Sequence, residues 1–253
     1  YGNGSQTGAM GLYVSAERRD ARYRYLPISH RPLLCLVLSR GNTGSPERRM
    51  HRNGAEMTQW NIVVARRGSK GCSHKSIRRL PDGSTCLSRA IGIALELPGE
   101  AVISTDYDPS CWPGVSPRLV YVPRPPLLAC DEAPMLAVLV HALSHVGAGL
   151  DDLVVLLQAA SPFRTVATVQ RAITRRLEAG AESCCTAMPI PDTWHPAYEL
   201  KRLPEAGLPT RRQDLKTCYR PDGNAYVSRV CNIIQSSWGD MAWYVSPKKE
   251  QLS

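Results

Sequence analysis

Short apolar runs alternate with helical patterns along most of the chain. Residues 62–65, 101–105 and 152–157 are apolar runs, rich in β-branched side chains, of the length that buried strands have. Apolar residues recur at helical spacing between them, in residues 87–95 and again in residues 133–145. Strands that are separated by helices predict an α/β fold in which a mostly parallel sheet is covered by helices on both faces.

Residues 165–179 carry the longest helical pattern, and residues 242–245 form a further strand-like run. In that helix we expect an inward-facing apolar stripe made of Val166, Val169, Ala172, Ile173 and Leu177. The pattern therefore predicts that helices and strands continue almost to the end of the chain.

The first 56 residues show no helical or strand periodicity over any distance. We interpret residues 1–56 as an N-terminal extension that is either non-native or disordered, with a natural start near Met57. Residues 57–253 are then one catalytic domain, and we expect its C-terminal end to be truncated. A chain of 253 residues fits one domain with appendages better than two full domains.

Composition and charge narrow the classes of partner. The net charge is +9, but residues 1–56 hold nine arginines against four acids, so most of the surplus lies outside the predicted domain. This weakens a nucleic-acid interpretation, and a nucleoside triphosphate would account equally well for clustered cations. No apolar stretch approaches the eighteen residues of a membrane span, and the nine cysteines include no CxxC pair. We expect a soluble, cytoplasmic protein with no nucleic-acid or membrane partner and no zinc site.

The strongest local signal is the stretch Ala65-Arg66-Arg67-Gly68-Ser69-Lys70-Gly71, which directly follows the first strand and precedes Lys75. Small residues let backbone amides approach phosphate oxygens, and the cations supply countercharge. The stretch matches neither the P-loop nor the dinucleotide-binding pattern, which disfavours those two functions. A phosphate-binding loop and a solvated basic turn both fit the stretch by itself.

This loop is the first of five stretches that occur in the same order in acylneuraminate cytidylyltransferases, the CMP-sialic acid synthetase family. The resemblance covers about residues 61–247. The stretches that resemble the family are residues 66–76, Ser104-Thr105-Asp106, Arg124-Pro125 with Asp131, residues 156–165, and residues 211–214 together with residues 219–226.

The resemblance implies a Rossmann-like nucleotidyltransferase that transfers CMP from CTP to an acidic acceptor, with release of pyrophosphate and with Mg²⁺ as cofactor. The positions matching the family's nucleotide-binding residues, of which Arg66 and Lys75 would be catalytic, are Arg66, Gly68, Ser69, Lys70, Gly71, Lys75, Ser76 and Arg124. The positions that would face the acceptor are Gln158, Arg212 and Arg220. The family also implies a homodimer formed through residues 189–221.

Three departures from the family pattern bear on the site. Ser76 replaces an asparagine beside the loop lysine, and Ala159-Ala160 stand where the family has Pro-Thr and where Kdo-activating relatives carry a metal-binding aspartate. The family has an Asp-x-Asp metal pair shortly after the strand that residues 242–245 match, and no such pair occurs between that strand and Ser253. The metal ligands are therefore unassigned; the candidate acids are Asp106, Asp131 and Asp222, each of which also suits a strand end, helix cap or turn.

Three functions remain open at this stage. The first is CMP activation of a nonulosonic, sialic-acid-like sugar. The second is CMP activation of a small phosphonate or another acid in secondary metabolism, because Ser76, Ala159 and Ala160 differ in or near the pocket. The third is a cytidylyltransferase-like binding protein that has lost its metal site.

Overall fold

The computed structural model describes residues 14–15, 57–68, 71–72, 74–112, 116–190 and 218–250. The strands in chain order are β1 (Val14–Ser15), β2 (Gln59–Ala65), β3 (Glu100–Thr105), β4 (Leu119–Pro123), β5 (Leu153–Gln158), β6 (Ser183–Pro189), β7 (Cys218–Arg229) and β8 (Met241–Val245). The helices are α1 (Cys86–Glu96), α2 (Pro126–Ala129), α3 (Met135–Val146), α4 (Val166–Glu178) and α5 (Val230–Ile234), with single 3₁₀ turns at Pro109–Cys111 and Lys248–Glu250.

The strands form one mixed sheet in the order β4-β3-β2-β5-β7-β6-β8. The pairs among β4, β3, β2 and β5 are parallel, and so is the pair of β6 with β8. Strand β7 runs antiparallel to both β5 and β6, and β1 pairs antiparallel with its beginning. The predicted α/β class with a mostly parallel sheet is confirmed. The division at residue 57 stays a prediction.

Strand β2 shows why the apolar runs predict buried strands. Successive side chains of a strand point to opposite faces of the sheet. Ile62 and Val64 pack into the cluster that contains the residues of α3, while Val63 and Ala65 pack into the cluster that contains those of α1. Both faces of the strand are therefore covered, which requires apolar side chains at every position rather than at alternate ones.

One prediction for helix α4 is wrong. Val169 and Ala172 are buried as expected, but the side chain of Leu177 is 66% exposed and Arg176 is buried in its place. The Nε of Arg176 donates to the carbonyl oxygen of Glu182 at 2.9 Å. The guanidinium thus has a backbone acceptor, while the aliphatic part of the side chain can lie against the core. In the last turn of the helix, Arg176 therefore takes the inward-facing position that was predicted for Leu177.

The order of the strands places a crevice at one edge of the sheet. The chain passes from β2 to β3 and β4 on one side and then returns to place β5 on the other side of β2. Ligands of open α/β sheets bind outside the carboxyl ends of the strands at such a switch point. The segments that follow Ala65 and Gln158 therefore border the expected site.

The helices that the structure describes do not include one with the length and apolar character of a membrane span.

Candidate active site

The crevice lies between the carboxyl ends of β2 and β5. Val64 and Gln158 are paired in register, and the backbone N–H of Ala159 donates to the carbonyl oxygen of Val64 at 3.3 Å. Arg66 follows β2 directly, so the predicted phosphate loop begins one strand away from Gln158. The structure thus places a residue from each predicted half of the site at the same edge of the sheet.

A pocket of about 420 Å³ opens beside this crevice, where β3 and β4 end. Its lining residues are Thr105, Asp106, Tyr121, Pro123, Arg124, Pro126, Ala129 and Cys130. The lining includes one cation and one carboxylate together with aromatic and aliphatic surface. Such a combination suits a ligand that is both flat and polar.

Arg124 is the fixed cation of this pocket. It is only 7% exposed, and its Nη2 donates to the carbonyl oxygen of Ser104 at 2.6 Å. Burial is the main reason why the pKa of Arg124 is lowered to about 10. The negative charge of Asp106 acts to raise this pKa, and the positive charge of Arg66 acts to lower it. The guanidinium therefore stays protonated at neutral pH, and the contact with Ser104 sets its orientation.

Two carboxylates hold the beginning of the predicted phosphate loop. Oδ1 of Asp106 accepts the backbone N–H of Arg67 at 2.8 Å. The side chain of Asp131 forms an ion pair with the Nη2 of Arg66. The loop is consequently tied to the end of β3 and to the segment between α2 and α3.

The glycines of the loop have no close neighbours among the described residues. A Cβ atom added to Gly68 or to Gly71 would meet no heavy atom of these residues within 4 Å, and no positive φ is found at either glycine. The described part of the protein therefore gives no steric reason for glycine at either position. A ligand that approaches the backbone closely would supply that reason.

The other predicted nucleotide residues occupy different environments. Lys75 is exposed, and it follows His74, whose φ is 54°. Ser76 is buried, and its carbonyl oxygen accepts the N–H of Leu87 at the start of α1. Ser69 and Lys70 lie outside the described residues. The predicted contacts of these residues with a nucleotide stay predictions.

The opposite wall of the crevice is organised by Arg164, which the sequence patterns did not single out. Arg164 is 5% exposed, and its Nη2 donates to the carbonyl oxygens of Gln158 at 2.6 Å and of Gly223 at 3.2 Å. Its Nε donates to the carbonyl oxygen of Asn224. Burial lowers the pKa of Arg164 to about 10, and the charge of Asp222 opposes this shift. One buried side chain thus joins the end of β5 to the middle of β7.

A sharp bend in β7 brings the backbone to this arginine. Gly223 has a φ of +77°, and a Cβ there would lie 3.0 Å from Oε1 of Gln158. Asp222 stabilises the bend, because its Oδ1 accepts from Oγ1 of Thr186 at 2.5 Å and from the N–H of Asn224 at 2.9 Å. In the structure, Asp222 therefore acts as a turn residue, which was the alternative to a role as metal ligand.

Two of the three predicted acceptor residues lie in the part of the chain that the structure describes. Gln158 is half-buried at the end of β5, and Arg220 is half-buried in the first part of β7, opposite Met188 of β6. Arg212 lies outside the described residues, as does most of the segment predicted to form a dimer. Their roles and the dimer stay predictions.

The described carboxylates can serve a magnesium ion only in a limited way. In the part of the chain that the structure describes, no group of three or more His, Cys, Asp or Glu side chains converges. Mg²⁺ in nucleotide enzymes is commonly held by one or two carboxylates together with substrate phosphates and water. Asp106 meets this smaller demand, because it lines the pocket next to the loop.

No family model matches the chain. Its fold is similar to that of a CMP:2-keto-3-deoxy-manno-octonic acid synthetase complexed with CTP, at a TM-score of 0.55 and 13% identity over 76% of this chain and 90% of that one. It is also similar to the 2-C-methyl-D-erythritol 4-phosphate cytidylyltransferase of Francisella tularensis, at 0.52 and 13% over 78% and 94%. A 4-diphosphocytidyl-2C-methyl-D-erythritol synthase gives 0.52 and 14% over 79% and 94%. The chain therefore has the Rossmann-like nucleotidyltransferase fold.

Proposed function

We propose that the protein is a cytidylyltransferase that transfers CMP from CTP to an acidic acceptor and releases pyrophosphate. The observation that carries the proposal is the pocket with its buried Arg124, which lies next to the cationic loop that begins at Arg66, at the switch point of the sheet. A pocket beside a cationic loop fits a nucleotide with its base in the pocket and its phosphates along the loop.

The nature of the fold supports CTP as the nucleotide. Two of the solved structures with a similar fold are a CMP:2-keto-3-deoxy-manno-octonic acid synthetase complexed with CTP and a 2-C-methyl-D-erythritol 4-phosphate cytidylyltransferase. The pocket contributes a fixed donor, Arg124. Cytosine offers O2 and N3 as acceptors, so Arg124 has a complementary edge of the base to meet.

The reaction follows from the layout of the two walls. CTP binds with its phosphates against Arg66, the Gly68 backbone and Lys75, and the acceptor enters from the wall formed by Gln158 and Arg220. An acceptor hydroxyl then attacks the α-phosphorus in line, the new P–O bond forms, the bond to the pyrophosphate oxygen breaks, and the hydroxyl proton passes to solvent. Positioning and charge neutralisation supply most of the catalysis in reactions of this type.

A magnesium ion, when bound, neutralises charge on the phosphates and on the departing pyrophosphate. Asp106 would contribute the protein ligand from the floor of the crevice. Arg66 and Lys75 add positive charge around the same phosphates, and this charge stabilises the pyrophosphate as it leaves.

The acceptor is proposed to be an acidic sugar, with a nonulosonic acid as the first choice. Arginine binds a carboxylate through two parallel hydrogen bonds, and the match to the family assigns this role to Arg220. A small phosphonate would satisfy the same cation and is the alternative acceptor. The CMP-sugar-acid synthetase among the structural neighbours favours the sugar acid.

Two measurements test the proposal. A ligand that binds the folded state stabilises the protein, and a tighter ligand stabilises it more. CTP with Mg²⁺ should therefore raise the melting temperature more than ATP or GTP does. Pyrophosphate release from CTP should then appear with at least one member of a panel of nonulosonic acids, 3-deoxy sugar acids and phosphonates. Equal shifts with all three nucleotides would refute cytidine recognition. A CTP-specific shift without pyrophosphate release from any acceptor would favour the inactive binding protein.

A further inference from the structure

One ion pair joins the two parts of the proposed nucleotide site. Arg66 follows β2 at the start of the phosphate loop, and Asp131 follows Ala129 and Cys130, which line the pocket. The Nη2 of Arg66 meets Oδ1 of Asp131. The pair therefore links the phosphate loop to the wall of the base pocket, as does the contact of the Asp106 side chain with the N–H of Arg67.

The pair leaves Arg66 able to bind an anion. The side chains of Arg66 and Asp131 are 33% and 24% exposed, so solvent and ligands reach them. A guanidinium carries five N–H donors, and this contact engages Nη2. A phosphate oxygen can thus bind other donors of Arg66 while the carboxylate keeps its place.

The energetic value of such a pair lies in binding rather than in folding. A partly exposed ion pair adds little to stability. A free arginine, however, loses the freedom of a long side chain when it captures a phosphate, and holding it beforehand removes part of that loss. A carboxylate that serves only the fold would not need to lie between the loop and the pocket.

We infer that Asp131 is a positioning residue that orients Arg66 toward the phosphates of the nucleotide and keeps the phosphate loop in register with the base pocket. The inference rests on the proposed function. It assigns to Asp131 a role in the free enzyme and in the complex, in place of the metal role considered from the sequence.

The test measures nucleotide binding by calorimetry with the full chain, using CTP with Mg²⁺ and, separately, cytidine, which has no phosphate. Asp131→Asn should weaken CTP binding about fivefold to tenfold, the loss expected for one side chain that is no longer preorganised. Its affinity for cytidine should stay within about twofold of the wild type, since the nucleoside lacks the group that Arg66 binds. Asp131→Glu, which keeps the charge, should recover part of the loss.

Asp82→Asn is the matched control. It makes the same change of charge at another Arg–Asp pair, in which Nη2 of Arg89 donates to Oδ2 of Asp82 at 2.6 Å, and it involves no pocket-lining residue. CTP affinity should be unchanged in this variant. The melting temperatures of Asp131→Asn and Asp131→Glu without ligand should lie close to that of the wild type.

A double-mutant cycle with Arg66→Ala separates positioning from a general effect on the fold. If Asp131 acts through Arg66, Asp131→Asn should weaken CTP binding in the wild type and have no further effect in the Arg66→Ala protein. Additive losses, an equal loss for cytidine, or unchanged CTP affinity would each overturn the inference. Tighter CTP binding by Asp131→Asn would overturn it as well, because the carboxylate would then be a competitor of the phosphates. A wild-type protein without preference for CTP would instead refute the proposed function, and the inference with it.

Discussion

The two walls of the crevice use arginine in opposite ways. On the nucleotide wall, Arg66 is partly exposed and is held by one carboxylate. On the opposite wall, Arg164 is 5% exposed and donates to the backbone carbonyls of Gln158, Gly223 and Asn224. The first arginine keeps donors for a ligand, whereas the second uses its Nε and Nη2 to fix the chain.

This difference has a consequence for substitutions. A change at Arg66 or Lys75 removes charge from a place that water also reaches, so binding and turnover should respond while stability does not. A change at Arg164 removes a charged donor from three carbonyl oxygens, of which those of Gly223 and Gln158 keep only the hydroxyl and the N–H of Ser161, so stability should respond first. The predictions below test this division.

The largest effect is expected for Arg164→Met, which keeps the aliphatic stem and removes the donors. The free energy of unfolding should fall by about 4 kcal/mol, because three carbonyl oxygens lose a charged donor and the nearby Asp222 loses a compensating charge. Urea denaturation measures this directly.

Arg89→Met is the control for that variant, because Arg89 also makes several polar contacts but is half-exposed, with Nη1 donating to the carbonyl oxygen of Pro162 at 3.0 Å. Its loss should be about 1 kcal/mol or less, since its partners can turn to water. Similar losses in the two variants would contradict the argument from burial.

The second largest effect is expected for Lys75→Ala, which removes an exposed cation next to the phosphate loop. Turnover should fall by two to three orders of magnitude, or about 3–4 kcal/mol, because a contact that strengthens as charge develops in the transition state is lost. Pyrophosphate release measures the turnover, and urea denaturation should show unchanged stability. Arg79→Ala makes the same change of charge at an exposed site outside the pocket and should retain most of the activity. A comparable drop in the turnover of Arg79→Ala would indicate that turnover depends on the overall positive charge of this surface and not on a contact of Lys75 with the phosphates.

The parallel half of the sheet could be predicted from the sequence because burial on both faces demands continuous apolar runs. Residues 62–65, 101–105 and 152–157 lie almost entirely within β2, β3 and β5. Strand β7 gives no such run: it contains Pro221, Asp222 and Gly223 at its bend, and its polar side chains bond within the protein. Its antiparallel place between β5 and β6 follows from tertiary pairing that no local pattern encodes.

The candidate site likewise has one part that could be predicted from the sequence and one part that could not. The loop at Arg66 and the pocket residue Arg124 follow parallel strands, and the carboxyl ends of parallel strands meet at one edge, so their proximity could be predicted. The role of Arg164 could not be predicted, although it lies in a stretch that matches the family. Its carbonyl partners Gly223 and Asn224 stand about sixty positions further along the chain, and backbone acceptors leave no trace in the identity of the residues.

A smaller effect on stability is expected for Gly223→Ala. The φ of +77° disfavours any residue with a Cβ, and that atom would lie 3.0 Å from Oε1 of Gln158. The free energy of unfolding should fall by about 1–2 kcal/mol, the usual penalty of a left-handed conformation for alanine. Gly92→Ala in the middle of α1, where a Cβ would meet nothing within 4 Å, should raise stability instead by up to about 1 kcal/mol. If Gly223→Ala left the free energy of unfolding unchanged, the bend would be able to adapt, which would contradict the argument that the second wall is fixed.

The smallest effect, and the one that separates the walls most directly, is expected for Gly68→Ala. A Cβ at this position meets nothing within 4 Å and the φ is not positive, so the melting temperature of the free protein should not change. In the complex the added methyl group would stand where phosphate oxygens approach the backbone amides, and CTP binding should weaken about tenfold, or about 1.4 kcal/mol. Calorimetry with CTP and with cytidine gives the measurement, and only CTP should be affected. Gly223→Ala and Gly68→Ala then form a reciprocal pair, one lowering stability and the other affinity. If Gly68→Ala binds CTP as well as the wild type does, the loop does not contact the phosphates through its backbone, and the assignment of the nucleotide wall would have to move to the side chains of Arg66 and Lys75.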